Sequence, residues 1–303
     1  MAARWLAYAS VGRFGLGHSM LAWARAAVWC RPAGVPMLAP QWLQPRLGPY
    51  LRGERDKREY FRLFNSDGYV TGLTRLYHLA ATPRLVAEKG LPDPAKAPAQ
   101  TTLVTFTNPM SANFQTYFRN IVGHHDLVRR ELVRMTRPRY RPAPPACPHI
   151  AIHIRLGDFT ANVDLGRVRE GVNSARLPNQ WYCDMLTGMR ARSGAALPAL
   201  VYSDGSDEEI ADVLTMPGVS RAPDGAAVTD MLSMAQATVL LSSSSGFPVW
   251  SSYLGQVPRL SFPGQRKERV IVNGGGFDAE PECETPDEIP DGWLGYMRAA
   301  ARG

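Results

Sequence analysis

The sequence predicts an α/β protein built on parallel sheets, and three observations lead to this fold class. An apolar run at residues 5–11 leads into a glycine-rich turn and then into a segment of good helix formers at 20–29, the opening order of a Rossmann-like unit. In the second half, apolar strand-like runs alternate with helix-like segments, as in a parallel sheet. Between these parts, residues 137–148 carry five prolines, which disfavour helix and central strand and indicate a linker.

The first part contains fewer regular patterns. Residues 60–79 contain helix-like stretches around a turn at 65–68, and residues 91–100 are rich in Pro and Ala, which indicates a loop. Residues 103–106 are typical of a strand, and we expect a helix at about 113–135.

The second part is more regular. Strands are predicted at 149–154, 197–203 and 238–241, and helices at 179–192, 230–237 and 247–254, with the acidic residues 207–209 in the first turn of a further helix. A loose tail closed by a short helix near Trp293 follows. We therefore predict a Rossmann-like domain at 1–140, a second one at 149–275, and a C-terminal tail at 276–303.

Composition narrows the class of partner. The chain has 303 residues, 45% of them hydrophobic, and a net charge of +7, which suits an anionic partner such as a nucleotide or a membrane surface. The basic runs at 52–58 and 134–141 do not make an aromatic-interleaved stripe or a known nucleic-acid module. We therefore interpret them as a solvated face and a linker and predict no nucleic-acid partner.

The cysteines and the hydropathy of the sequence indicate the cellular compartment in which the protein is expected. The four cysteines are far apart and form no Cys-x-x-Cys pair, so we predict no zinc site and expect a reducing compartment. No stretch of 18 apolar residues occurs, and the first apolar run is interpreted as a strand rather than a signal peptide. We expect a cytoplasmic protein whose basic patches contact the inner membrane surface if its partner there is lipid-linked.

Three polar clusters follow predicted strands of the second part. Ligands of parallel sheets bind beyond the carboxyl ends of the strands, so the clusters are expected to form one site. An arginine there can clamp phosphates, and serine hydroxyls with turn amides can hold phosphate oxygens, which predicts a nucleotide-diphosphate pocket without a P-loop lysine. The clusters are His153, Arg155 and Asp158; Ser203, Asp204 and Ser206; and Ser242 to Gly246.

Each cluster also has a structural interpretation. His153 is a candidate core histidine, Arg155 and Asp158 a candidate ion pair, Asp204 a candidate helix cap, and the serine run a candidate plain loop. The order and spacing of all three clusters together favour the functional interpretation.

The segment His-Ile-Arg-Leu-Gly-Asp at 153–158 resembles the His-x-Arg-x-Gly-Asp motif of the α-1,2-fucosyltransferases and of the related α-1,6- and protein O-fucosyltransferases. Other blocks occur in the family's order: residues 14–20 resemble its Gly-Leu-Gly-Asn-Gln-Met stretch, and 201–205 its Phe-Ser-Asp-Asp block. Residues 229–235 followed by 243–245 resemble the segment ending in Asn-Ser-Ser-Phe-Ser-Trp-Trp. This chain has His18 and Ser19 where the family has Asn-Gln, Leu156 where many members have a second arginine, and Gly246 and Pro248 within the serine block.

The resemblance implies a GT-B fold, with two Rossmann-like domains facing a cleft, and an inverting transfer from GDP-fucose to a glycan hydroxyl that requires no divalent metal or other cofactor. It assigns guanine to His153 and Asp204, and the β-phosphate of the leaving GDP to Arg155. It assigns phosphate oxygens to the serine run (Ser243, Ser244, Ser245) and to the N-terminal loop (Gly15, Gly17, with His18 beside them).

The general base and the substrates stay open at this stage. Asp158 belongs to the motif and Asp164 follows it, while His18, another residue or no dedicated base are alternatives. The divergent residues 31–148 are expected to shape the acceptor side. The alternatives to a GDP-fucose transferase are the same fold with another nucleotide sugar, and a nucleotide- or glycan-binding protein without turnover.

Overall fold

The computed structural model describes residues 3–12, 14–42, 60–108, 117–172, 174–272 and 275–302. The chain forms two compact units, Met1–Arg141 and Pro142–Gly303. Their boundary falls within the proline-rich segment 137–148, where the 3₁₀ helix Pro138–Tyr140 is followed by residues without regular secondary structure. The basic run at 52–58 and the predicted helical residues 113–116 lie outside the described residues.

The first unit contains a parallel sheet. In the described part of this unit the strands have the order β2-β1-β4-β3, and all neighbouring strands are parallel. The strands are β1 (Trp5–Ala9), β2 (Met37–Leu38), β3 (Arg84–Val86) and β4 (Thr102–Phe106), and the helices are α1 (Leu16–Cys30), α2 (Gly72–Ala81) and α3 (His125–Met135).

Helix α1 begins at Leu16, four residues before its predicted start, so the glycine-rich turn is shorter than expected. Gly12 makes the turn with a φ of +64°, a conformation that favours glycine. Helix α3 begins later than predicted, because residues 117–124 form turns and Gly123 adopts a φ of +87° just before the helix.

The second unit contains a longer parallel sheet with the strand order β7-β6-β5-β8-β9. Numbered from β5, this is the order 3-2-1-4-5 of a doubly wound Rossmann-type sheet. The strands are β5 (Ile150–Ile154), β6 (Ala199–Ser203), β7 (Val219–Arg221), β8 (Val239–Ser242) and β9 (Arg259–Ser261). The helices are α4 (Leu165–Arg169), α5 (Asn179–Ser193), α6 (Ala211–Leu214), α7 (Ala227–Met234), α8 (Gly246–Gly255) and α9 (Asp291–Ala300).

The predicted α/β class with parallel sheets is confirmed. Strand β5 is buried at every position, which is the burial expected of a central parallel strand covered on both faces. The chain leaves β5 toward β6 on one side and later returns to β8 on its other side, so the order reverses between β5 and β8. The facing of the two units across a cleft stays a prediction.

The C-terminal segment is not the loose tail that the sequence predicted. Trp293, Leu294 and Met297 of α9 are buried in the core of the second unit, and the Trp181 indole N–H donates to the Cys283 carbonyl over 3.2 Å. The aromatic and aliphatic residues of α9 repeat at helical spacing, so one face of this helix is buried against the rest of the unit. The second unit therefore extends through α9.

Candidate functional site

The site of the second unit starts where β5 and β8 end. The Ser243 amide donates to the His153 carbonyl over 3.0 Å, and the His153 Nδ1 and Ser243 Oγ atoms are 2.9 Å apart. These bonds join the first polar cluster to the serine run at the point where the strand order reverses. Ligands of open α/β sheets bind at such a point.

His153 is uncharged at neutral pH in this setting. Its side chain is 7% exposed and its ring stacks on Phe247 with centroids 6.4 Å apart. Burial first, and then the positive charge of Arg155, lower the pKa of His153 to about 4, although the Asp204 carboxylate acts in the opposite direction. A neutral imidazole keeps one donor and one acceptor nitrogen, which suits hydrogen bonding rather than charge pairing.

This pKa predicts a pH-dependent stability. The unfolded chain takes up a proton at His153 near pH 6.5 and the folded chain only near pH 4, so stability is complete above pH 6.5 and falls as the pH is lowered. At pH 4 the expected loss from this group is about 3 kcal/mol. Urea unfolding of the wild type and of His153→Asn at pH 7 and pH 4 measures it as the difference between the two pH-induced losses. Equal losses in both proteins would remove His153 as the cause.

Arg155 lies between two carboxylates. Its Nε and Nη2 donate to Asp158 Oδ1 over 3.1 and 2.8 Å, and its Nη1 lies 3.0 Å from Asp204 Oδ2. The Arg155 side chain is 34% exposed and that of Asp158 64% exposed. The predicted pairing of Arg155 with Asp158 is present, and because the pair is largely in water it is cheap to break.

Asp204 organises the motif loop. Its Oδ1 accepts from the Leu156 amide over 2.8 Å and its Oδ2 from the Gly157 amide over 3.1 Å. A Cβ on Gly157 would overlap the Asp204 carboxylate, which explains glycine at this motif position. The interpretation of Asp204 as a helix cap is wrong, because α6 begins only at Ala211 with Ile210 as its N-cap. Ser206 and Glu209 exchange reciprocal bonds in the turn before this helix.

Two arginines that sequence reasoning missed hold the same loops. Arg176 Nε donates to the Leu156 and Phe159 carbonyls over 2.9 and 3.0 Å, and Arg221 Nη2 donates to the Ser203 and Gly205 carbonyls over 3.0 and 2.7 Å. Both lie outside the motifs, and no local pattern marks an arginine whose partners are distant backbone carbonyls.

The serine run forms the turn before α8. Ser245 is the N-cap of this helix, with its Oγ accepting from the Phe247 amide over 3.3 Å, and Ser243 Oγ accepts from the Ser245 amide over 3.4 Å. The Ser244 hydroxyl is buried and has no hydrogen-bond partner among the described residues. A buried hydroxyl without a partner beside a helix N-terminus suits an anionic oxygen of a ligand.

The two candidate bases differ in their surroundings. Asp158 is exposed and has the Arg155 guanidinium beside it. Asp164 is the N-cap of α4, and its Oδ1 accepts from the Arg167 amide over 3.2 Å. Asp164 therefore has a structural duty that Asp158 does not share.

The remaining predicted binding residues lie in the first unit. Gly15 is the N-cap of α1 and has room for a Cβ, while Gly17 and His18 lie in the first turn. Burial lowers the pKa of His18, whose ring centroid lies 5.5 Å from that of Tyr117. That these residues join the phosphate site of the second unit stays a prediction.

Among the described residues, no group of three or more His, Cys, Asp or Glu side chains is placed to hold a metal ion. Among the helices that the structure describes, none combines the length and apolar character needed to cross a bilayer.

The second unit is thus a doubly wound α/β domain whose switch point carries an arginine between two carboxylates, a neutral histidine and a serine turn. No family model and no curated protein sequence matches the chain. Among solved structures it is similar to fucosyltransferase NodZ from Bradyrhizobium, at 13% identity over 86% of this chain and 95% of that chain, with a TM-score of 0.43.

Two further solved structures are similar to this chain at comparable sequence identity and TM-score. A variant of Arabidopsis thaliana FUT1 in complex with GDP is 11% identical over 85% of this chain and 70% of that chain, with a TM-score of 0.47. POFUT1 in complex with GDP-fucose is 12% identical over 86% of this chain and 97% of that chain, with a TM-score of 0.39. At these identities no residue role follows from the likeness.

Proposed function

We propose that the protein is a glycosyltransferase that transfers fucose from GDP-fucose to a hydroxyl of a glycan acceptor. The observation that carries this proposal is the joining of His153 to Ser243 at the switch point, which brings the arginine of the motif and the serine turn to one edge of the sheet. The resemblance of residues 153–158 to the fucosyltransferase motif supports GDP-fucose as the donor among nucleotide sugars.

The diphosphate is held by charge and by amides in this proposal. Arg155 leaves Asp158 and turns to the β-phosphate, an exchange that costs little because the exposed pair is worth at most about 1 kcal/mol. Asp204 keeps its two amide bonds and its contact with Arg155 Nη1, so the motif loop stays in place during the exchange. The Ser244 hydroxyl and the N-terminus of α8 complete the phosphate site.

The leaving GDP is stabilised by Arg155 and the helix N-terminus in place of a metal ion, so the proposed reaction is independent of divalent cations. The same exchange releases the Asp158 carboxylate from its arginine, and we assign it the acceptor proton in an inverting displacement. His153 recognises the guanine as a neutral hydrogen-bonding group.

Thermal unfolding with nucleotides tests the donor. We expect GDP to raise the melting temperature in the presence of EDTA, because a ligand at a hundred times its Kd stabilises a fold by about 2.7 kcal/mol. UDP and ADP serve as controls with the same diphosphate, and GMP as a control with the same base. Stabilisation by UDP but not by GDP would exclude GDP-fucose in favour of another nucleotide sugar.

Turnover separates a transferase from a binding protein without activity. We expect GDP-fucose to be converted to GDP in the presence of the protein and a mixture of glycan acceptors, again with EDTA. Release of GDP is measured by chromatography, and boiled protein is the control. Binding of GDP-fucose without release of GDP would favour the binding protein.

A further inference from the structure

A cavity in the first unit has the chemistry of a saccharide site. It has a volume of about 500 Å³ and lies after the carboxyl end of β2, where Gln41 and Trp42 line it together with Phe61, Phe64, Arg75 and Arg137. The carboxyl ends of parallel strands share one edge of a sheet, so the cavity opens at the edge of the first sheet where ligands are expected.

The walls of the cavity are tied together by hydrogen bonds. The Ala39 amide donates to the Val70 carbonyl over 3.0 Å, Arg75 Nε to the Ala39 carbonyl over 2.8 Å, and Arg137 Nε to the Phe64 carbonyl over 3.1 Å. These bonds connect the end of β2, the segment before α2, α2 itself and Arg137, the second residue after α3. The cavity is therefore preformed, as ligand sites usually are.

One donor in this wall lacks a partner. Trp42 is 6% exposed, its ring packs on Phe64 with centroids 4.6 Å apart, and its indole N–H finds no acceptor among the described residues. This N–H lies beneath the surface of the wall, so its resonance reports on a molecule that contacts the ring. The rim adds the 40% exposed ring of Phe61, an apolar surface for the C–H face of a sugar.

The positive charge of the cavity indicates that the bound sugar carries an acidic group. Arg75 and Arg137 each use Nε on a backbone carbonyl, and their Nη nitrogens form no hydrogen bond with described residues. None of the residues lining the cavity in the described structure is acidic. Two guanidinium groups that have no carboxylate partner among the described residues favour a carboxylate or a phosphate, which each can bind with two parallel hydrogen bonds.

We propose that this cavity binds an anionic sugar, with the ring against Phe61 and Trp42 and the acidic group on Arg75 and Arg137. As the site of the glycan acceptor it rests on the proposed function, and as a sugar-binding site it stands alone. The shared chemistry is a saccharide with one acidic group, either a uronate or a sugar phosphate.

Titration of the ¹⁵N-labelled full-length protein tests this, with the Trp42 indole N–H resonance assigned by its loss in Trp42→Phe. The probes are glucuronic acid, glucose 6-phosphate and neutral glucose, each to about 50 mM because a single sugar is expected to bind with a millimolar Kd. We expect both acids to shift the resonance and glucose to bind at least about tenfold more weakly, since tenfold is the factor lost with a single charge-assisted hydrogen bond. The tighter acid identifies carboxylate or phosphate.

Arg137→Gln is expected to weaken the preference for the acids, with Arg75 retaining part of it, while the matched control Arg139→Gln, two residues further on and outside the cavity, leaves it unchanged. No shift with either acid would overturn the site, and equal binding of glucose would overturn its preference for charge. Equal shifts with acetate or inorganic phosphate alone would overturn the sugar.

GDP-induced thermal stabilisation of the same sample separates this inference from the proposed function. Stabilisation by GDP without sugar binding would reject the sugar site and support the transferase proposal. Sugar binding without any response to GDP or GDP-fucose would reject the transferase proposal and support the sugar site.

Discussion

Replacing Arg155 with alanine is expected to lower kcat/KM for GDP-fucose by a factor of about 100 to 1,000, equivalent to about 3–4 kcal/mol of transition-state stabilisation. The reason is the charge that develops on the departing diphosphate, which this guanidinium is proposed to neutralise. Because charge grows in the transition state, the loss should be larger in kcat than in the affinity for GDP. Steady-state kinetics and GDP titration on the same variant measure the two quantities.

The variant is expected to fold. Asp204 retains the Leu156 and Gly157 amides as donors, and Asp158 is exposed, so no carboxylate is left buried without a partner. Arg167→Ala is a matched control, since it removes one positive charge from an exposed residue of α4 in the same unit. Near-normal turnover by Arg155→Ala, with Arg167→Ala also active, would remove Arg155 from the mechanism.

The predictable part of the fold is the part with strong local patterns. The runs at β5, β6 and β8 are apolar and compact, and α5 ends near its predicted limit because Gly194 adopts a left-handed φ of +67°. Short edge strands such as β7 and β9 were missed, since three residues carry too little periodicity and their strand state depends on a neighbour.

The candidate site also has a part that the sequence predicts and a part that it does not. His153 and the serine turn could be placed together from sequence, because strand ends of one parallel sheet meet at one edge. The role of Asp204 could not be predicted from sequence. Its carboxylate accepts hydrogen bonds from the Leu156 and Gly157 amides, and these bonds depend on the shape of a loop 47 or 48 residues away. Arg176 was missed for the same reason, because its partners are backbone carbonyls that carry no sequence signal.

Replacing Asp158 with asparagine is expected to separate proton transfer from donor binding. If Asp158 accepts the acceptor proton, kcat falls by a factor of about 100 to 10,000. GDP affinity should stay the same or increase, because the amide no longer competes with the diphosphate for Arg155. This combination differs from that of Arg155→Ala, in which turnover and phosphate binding decline together.

The matched control is Asp164→Asn, which tests the alternative base without disturbing the fold. Asparagine caps helices as well as aspartate does, so the bond from the Arg167 amide to the N-cap of α4 is retained while the carboxylate is lost. We expect Asp164→Asn to keep its turnover with GDP-fucose. A large loss of kcat in Asp164→Asn together with normal turnover in Asp158→Asn would reverse the assignment. Each substitution only replaces a carboxylate that can accept a proton with an amide that cannot, so the variant that loses turnover identifies the base.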